Sequence, residues 1–221
     1  LGTLFDIIGA TDEVKVVVVR AAVDGGPFAL SPSGLDPSRG SQKLQSQKAL
    51  TRRNGIYLLT RLYRNMAFLE QPVIASVDGD ALTVGTSFSQ HCDIVLASER
   101  SRFGDLHVQR GLNAPIGGYL WPLHVNHHVA AELLYTGEVL TADRAQALGM
   151  VNHVYAAEKL LEETRNLAQR MSRVSPFAIG YTKRLIQRRI QREQADILGE
   201  AVAWESFLLA AQSLEERDGR T

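Results

Sequence analysis

The stretch DGDALTVGTSFSQHCD, residues 78–93, lies between two short apolar runs, residues 73–77 and 94–97, and carries Thr83, Val84 and Gly85 at its bend. Its order reads as strand, tight turn, helix, strand. A turn of this kind at a helix start leaves backbone N–H groups without acceptors inside the helix. They aim outward, where they can hydrogen-bond an oxygen carrying negative charge. The turn is therefore a candidate oxyanion site. Many α/β proteins also place a glycine at such a bend for steric reasons alone, so the surrounding residues decide between the readings.

The longer line IASVDGDALTVGTSFSQHCDIVLASERSRFGDLHVQRGLNAPIGGYLWPL, residues 74–123, resembles the signature of the crotonase superfamily, also called the enoyl-CoA hydratase/isomerase superfamily. The matching residues include Gly79, Ala81, Leu82, Gly85, Cys92, Asp93, Phe103, Gly104, Gly117 and Gly118. The likeness continues through LLYTGEVLTADRAQALGMVNHV, residues 133–154, and ends near SPFAIGYTKRLI, residues 175–186. It implies an α/β fold with a crotonase-like ββα spiral core over residues 1–156, preceded in that family by a pair of strands missing from this chain. It also implies a C-terminal helical oligomerisation region, residues 157–221, packing between subunits of a homo-trimer or hexamer.

The resemblance also implies a chemistry. In that superfamily an acyl-CoA thioester places its carbonyl oxygen against two backbone N–H groups, which stabilise the enolate-like charge of the transition state. Losing one such donor costs on the order of 3 kcal/mol. The second donor maps onto Val84, followed by Gly85. The first falls in FALSPSGLDP, residues 28–37. Aligned directly from Phe28, it is Pro32, which has no N–H to give. Aligned on SGLD, it is Leu35 after Gly34, and that alignment keeps the family's Gly-x-Asp pattern. Coenzyme A enters only as part of the substrate, and no separate cofactor or metal is implied.

The hydratases of the superfamily use two glutamates to position and deprotonate water. The corresponding positions here hold Ser87 and His107. Hydration by that glutamate pair is thus excluded, and isomerisation, decarboxylation or hydrolysis of a thioester or β-dicarbonyl fits better. A histidine titrates near neutral pH and suits proton transfer. His107 is the expected acid or base, with Ser87 as its hydrogen-bonding partner. Asp105 would orient the imidazole, by strand alternation or a local bend, and Tyr119 is a further possible proton donor near the acyl pocket. Two other classes stay open: an inactive crotonase-fold scaffold, and a serine hydrolase using Ser87, although GTSFS lacks the Gly-x-Ser-x-Gly elbow.

Composition agrees with this frame. The 221 residues are 45% hydrophobic, enough for a sizeable core, and 24 basic residues balance 24 acidic ones. That balance speaks against a nucleic-acid partner. A single cysteine, Cys92, rules out an intramolecular disulfide and fits a reducing, cytoplasmic setting. No apolar run is long enough for a membrane span. The valine run KVVVVRA, residues 15–21, reads as a strand buried on both faces. The following DGGPF lacks the Gly-x-Gly-x-x-Gly of a dinucleotide site.

Elsewhere the chain reads simply. Leu4, Ile7 and Ile8 suggest the inner face of an opening helix, and Leu59, Leu62, Met66 and Leu69 a core-facing one. Residues 30–54 are polar and loop-like. His124, His127 and His128 would share a solvated helix face. Three closing helices are expected at about 158–171, 176–189 and 194–214. KRLIQRRIQR, residues 183–192, reads as a solvated cationic face or a contact for coenzyme A phosphates.

Overall fold

The computed structural model describes residues 2–28 and 49–217. Helix α1 (Gly2–Gly9) buries Phe5 and part of Ile8, while Leu4 and Ile7 point outward, so its inner face is rotated from the expected one. Strand β1 (Val17–Arg20) follows, then the long helix α2 (Ala49–Phe68), which turns Leu62, Tyr63 and Met66 into the core.

Next come β2 (Val73–Val77), β3 (Asp80–Leu82), α3 (Val84–His91), β4 (Ile94–Ser98) and β5 (Arg102–Gly104). A short 3₁₀ turn spans Val108–Arg110. Helices α4 (Gly117–His124) and α5 (His127–Thr136), strand β6 (Leu140–Thr141), helix α6 (Ala142–Ala147) and strand β7 (His153–Tyr155) complete the core. Two helices close the described chain, α7 (Ala157–Ser172) and α8 (Pro176–Arg217).

The strands form two sheets. One is parallel with order β1-β2-β4-β7, and the other has order β3-β5-β6. β2 gives way to β3, and β4 to β5, within a few residues, so each turn of chain adds one strand to each sheet before a helix returns it. The registers Ile74↔Ile94 and Ala81↔Phe103 fix those two turns side by side. This is the ββα spiral. Every residue of β2 is buried, as a central parallel strand requires. β1 is the edge among the described residues, so Val18 stays exposed and the valine run is not buried on both faces as expected.

The second of the two breaks expected among the C-terminal helices is absent. α8 runs unbroken for 42 residues, because residues 190–193 contain no proline or glycine and Ile190 and Gln194 both turn inward one helical step apart. Lys183, expected at a solvated face, is buried. Its Nζ donates to Asp93 Oδ2 at 2.6 Å and to the Gln71 carbonyl at 2.9 Å. Val125 separates His124, at the end of α4, from His127 and His128 at the exposed start of α5, so the three histidines share no face. Among the described residues no helix is long and apolar enough to cross a membrane.

Candidate active site

The turn at residues 83–85 is held in an unusual shape. Thr83 has φ 55° and ψ −104°, the only positive φ outside glycine among the described residues. Such a backbone costs on the order of 1–3 kcal/mol and persists only where its surroundings enforce it. They do so here. Thr83 N–H donates to the Gly104 carbonyl at 2.7 Å, Thr86 Oγ1 accepts from Gly104 N–H at 2.9 Å, and Thr86 Oγ1 also donates to the Ala81 carbonyl. The start of α3 is thereby fastened to the ends of β3 and β5.

Val84 is the first residue of α3, so its N–H has no acceptor within the helix. Gly85 follows because nothing larger fits: a Cβ there would sit 2.5 Å from the Phe28 carbonyl oxygen. Phe28 is in turn set by its own N–H, which donates to the Asp80 carbonyl at 2.8 Å. The Asp80 carboxylate is gripped by both Nε and Nη2 of Arg102. Gly34, Leu35 and Pro32, the candidates for the first oxyanion donor, lie outside the described residues.

Across from this turn the chain leaves β5 at Gly104 and bends. Leu106 N–H reaches Thr83 Oγ1 at 3.4 Å. His107 N–H donates to Asp105 Oδ1 at 3.1 Å, and His107 Nδ1 lies 2.5 Å from the same oxygen. It is therefore the bend, not strand alternation, that joins the two side chains. Asp105 is 1% exposed. Its Oδ2 has no hydrogen-bond partner among the described residues and lies against Gly117, where a Cβ would be only 2.9 Å away. Gly117 opens α4, whose positive end compensates the buried oxygen.

The second ring nitrogen, His107 Nε2, faces Glu205 Oε1 of α8 at 3.7 Å. Burial alone would pull the imidazole's pKa down. The hydrogen bond and charge of Asp105, with Glu205 beyond, outweigh it and hold the pKa above its usual value, while Arg110 opposes them. Burial raises Glu205; His107 pulls it back and Asp105 adds to the rise.

Ser87 does not take its expected place. It is 2% exposed and makes no hydrogen bond to His107, whose nitrogens are turned to the two carboxylates. Its neighbour is the Tyr63 hydroxyl, buried without a well-formed hydrogen bond and raised in pKa chiefly by that burial. Among the described residues no histidine or carboxylate bonds the Ser87 hydroxyl to activate it as a nucleophile; His91 Nδ1 meets only the Ser87 carbonyl. Tyr119 is also buried, its hydroxyl 2.9 Å from His91 Nε2 inside the core, so it is placed as a packing residue rather than a proton donor. A cavity of about 580 Å³ between α2 and α8 includes neither His107, Asp105 nor Glu205 in its lining.

Glu205 is the residue that sequence reasoning missed. AWESF offers no motif around it, and only its position on α8 brings it to His107.

Residues 5–214 match the family model described as enoyl-CoA hydratase/isomerase. The chain belongs to the enoyl-CoA hydratase/isomerase family. Among curated members, crotonyl-CoA hydratase of Syntrophomonas wolfei subsp. wolfei is 29% identical over 179 residues, covering 80% of this chain and 68% of that protein. Against four curated hydratases of the family the chain spans 51% to 68% of their length. An enoyl-CoA hydratase/isomerase from Mycobacterium paratuberculosis superposes with TM-score 0.86 at 26% identity, over 100% of this chain and 85% of that one. A monofunctional enoyl-CoA isomerase from M. smegmatis gives TM-score 0.67 at 25% identity, over 88% and 82%.

Proposed function

We propose that this family member binds an acyl-CoA thioester and stabilises its enolate, with His107 moving the proton at the α-carbon. The observation that carries the reading is the buried Asp105–His107 pair beside the start of α3, at a position where the hydratases carry a glutamate. The thioester carbonyl would accept the Val84 N–H and, on the alignment that keeps Gly-x-Asp, the N–H of Leu35. Asp105 fixes Nδ1, which leaves Nε2 as the working atom of His107. An imidazole with a raised pKa is well suited to giving a proton to an enolate. That favours reactions that generate an enolate needing a proton, such as isomerisation, decarboxylation or hydrolysis, over hydration by two glutamates.

We also expect self-association through α8, which exposes Phe177, Tyr181 and Leu185 at helical spacing, and a cytoplasmic setting. The test of the chemistry uses butyryl-CoA in deuterium oxide, followed by proton NMR, with calorimetric titration against free coenzyme A as control. The protein is expected to prefer the thioester and to exchange its α-protons. His107→Ala is expected to slow that exchange by about 100-fold or more. An unchanged rate in that variant overturns the assignment of His107. No exchange, with no preference for the thioester, makes the protein a crotonase-fold scaffold.

A further inference from the structure

The family's glutamate positions hold Ser87 and His107, yet a carboxylate reaches this site from the far end of the chain. Glu205 projects from α8 toward His107, and the side chains are 18% and 13% exposed. Their separation of 3.7 Å is longer than an N–H···O hydrogen bond, which spans roughly 2.7–3.2 Å. One oxygen atom can nevertheless lie within hydrogen-bond reach of both groups, as a bridging water does. On the other side of the ring, Asp105 pins Nδ1, so the Nε2 proton points toward that shared position.

We propose that Glu205 is a second catalytic residue of this site: with His107 Nε2 it holds one water molecule, and it takes that water's proton as the water oxygen attacks a β-oxo thioester. The proposal rests on the enolate reading above and narrows it. Isomerisation and decarboxylation have no use for a held water, whereas cleavage of a 3-oxoacyl thioester uses every group present. The water oxygen bonds to the β-carbonyl carbon while its proton passes to Glu205. The bond between the α- and β-carbons then breaks, releasing a carboxylic acid and leaving its electron pair as the thioester enolate at Val84 N–H. His107 delivers its Nε2 proton to the α-carbon. The proton on Glu205 returns to His107 through the next water, restoring both groups without oxidant or reductant.

The charged groups around the water are Asp105, His107, Arg110 and Glu205. Burial and Asp105 make Glu205 a stronger base than an exposed glutamate, which suits it to accept a proton from water.

The test compares wild type, Glu205→Gln and His107→Ala on acetoacetyl-CoA and a longer 3-oxoacyl-CoA. Products are identified by mass spectrometry in isotopically labelled water. Wild type is expected to yield a shortened acyl-CoA and a labelled carboxylate. Glu205→Gln is expected to lower this kcat by about 100-fold, while butyryl-CoA exchange, which needs no attacking water, falls far less. His107→Ala loses both. Glu205→Gln cleaving at the wild-type rate, or losing both reactions equally, overturns the role of Glu205 and leaves the enolate reading standing. So does a wild type that exchanges butyryl-CoA but leaves both 3-oxoacyl thioesters intact. A wild type that does neither overturns the enolate reading, and this proposal with it.

Discussion

Asp105 accepts both the backbone N–H and the Nδ1 of His107, so one buried carboxylate sets the imidazole's orientation and its charge. The linkage has a definite sign. His107's pKa is raised on folding. Its protonation therefore adds stability that is full below the unfolded value near 6.5 and is lost as pH rises through the folded one. In Asp105→Asn the imidazole keeps a neighbour of similar shape without the charge, and its pKa falls. The urea-unfolding gap between wild type and Asp105→Asn is expected to be widest on the acid side and to shrink through neutral pH. Histidine ring NMR should show His107 titrating at lower pH in the variant, and the pH limb of α-proton exchange should move with it. At this scale the sequence carried Asp105 and His107, because they stand in a motif two residues apart. It could not carry Glu205, which no local pattern marks, nor the separation of Ser87 from His107, whose two ring nitrogens face carboxylates brought by the bend and by α8.

The site at the next scale is the start of α3, a turn kept strained by its fastenings to β3 and β5. Gly85 is its tightest point. Replacing it with alanine puts a methyl group 2.5 Å from the Phe28 carbonyl oxygen, and since that neighbour is backbone, the turn itself must shift. Overpacking of this kind costs about 1–3 kcal/mol. Because the displaced atoms include the Val84 N–H, Gly85→Ala is expected to weaken butyryl-CoA binding more than free coenzyme A binding. Urea unfolding and calorimetry read the two effects separately, and an unweakened thioester preference would remove Val84 from the oxyanion hole. This element was legible in advance because the residues around its glycine-bearing bend, Gly79, Ala81 and Leu82 before it and Cys92 and Asp93 after it, carry the pattern of the family. The short strand β3 was not: three residues, of which only Ala81 is fully buried, are too few to display a period. The unbroken α8 was missed for a related reason. The polar run Gln191, Arg192 and Glu193 resembles a linker when its buried neighbours, Ile190 and Gln194, are not seen to belong to one face.

At the scale of the molecule α8 is the strut that joins the floor of the parallel sheet to the site. Near its start, Lys183 and Gln187 meet Asp93 at the entrance to β4, at 2.6 and 2.9 Å, and Asp93 Oδ2 also accepts the Val73 N–H at 2.7 Å. Further on, Gln191 bonds the Ala67 carbonyl of α2, and Asn113 bonds the Ala201 carbonyl of α8. Gln212 then bonds the Arg110 carbonyl beside His107. Glu205 is positioned between those last two ties. Asp93→Ala strands the Lys183 ammonium, which is 5% exposed, and removes the acceptor for two further donors. Breaking a buried pair from one side costs about 3–5 kcal/mol, whereas replacing both partners by apolar groups is often close to neutral. Asp93→Ala is therefore expected to lose stability on that scale. Asp93→Ala combined with Lys183→Met is expected to recover much of it, with the coupling read from a double-mutant cycle in urea. The single variant should also cleave 3-oxoacyl thioesters more slowly, since loosening the helix at the sheet moves Glu205 away from the water it is proposed to hold. If stability falls as expected while that rate is untouched, the distal ties alone place Glu205, and α8 acts on the site as two independent anchors rather than one strut.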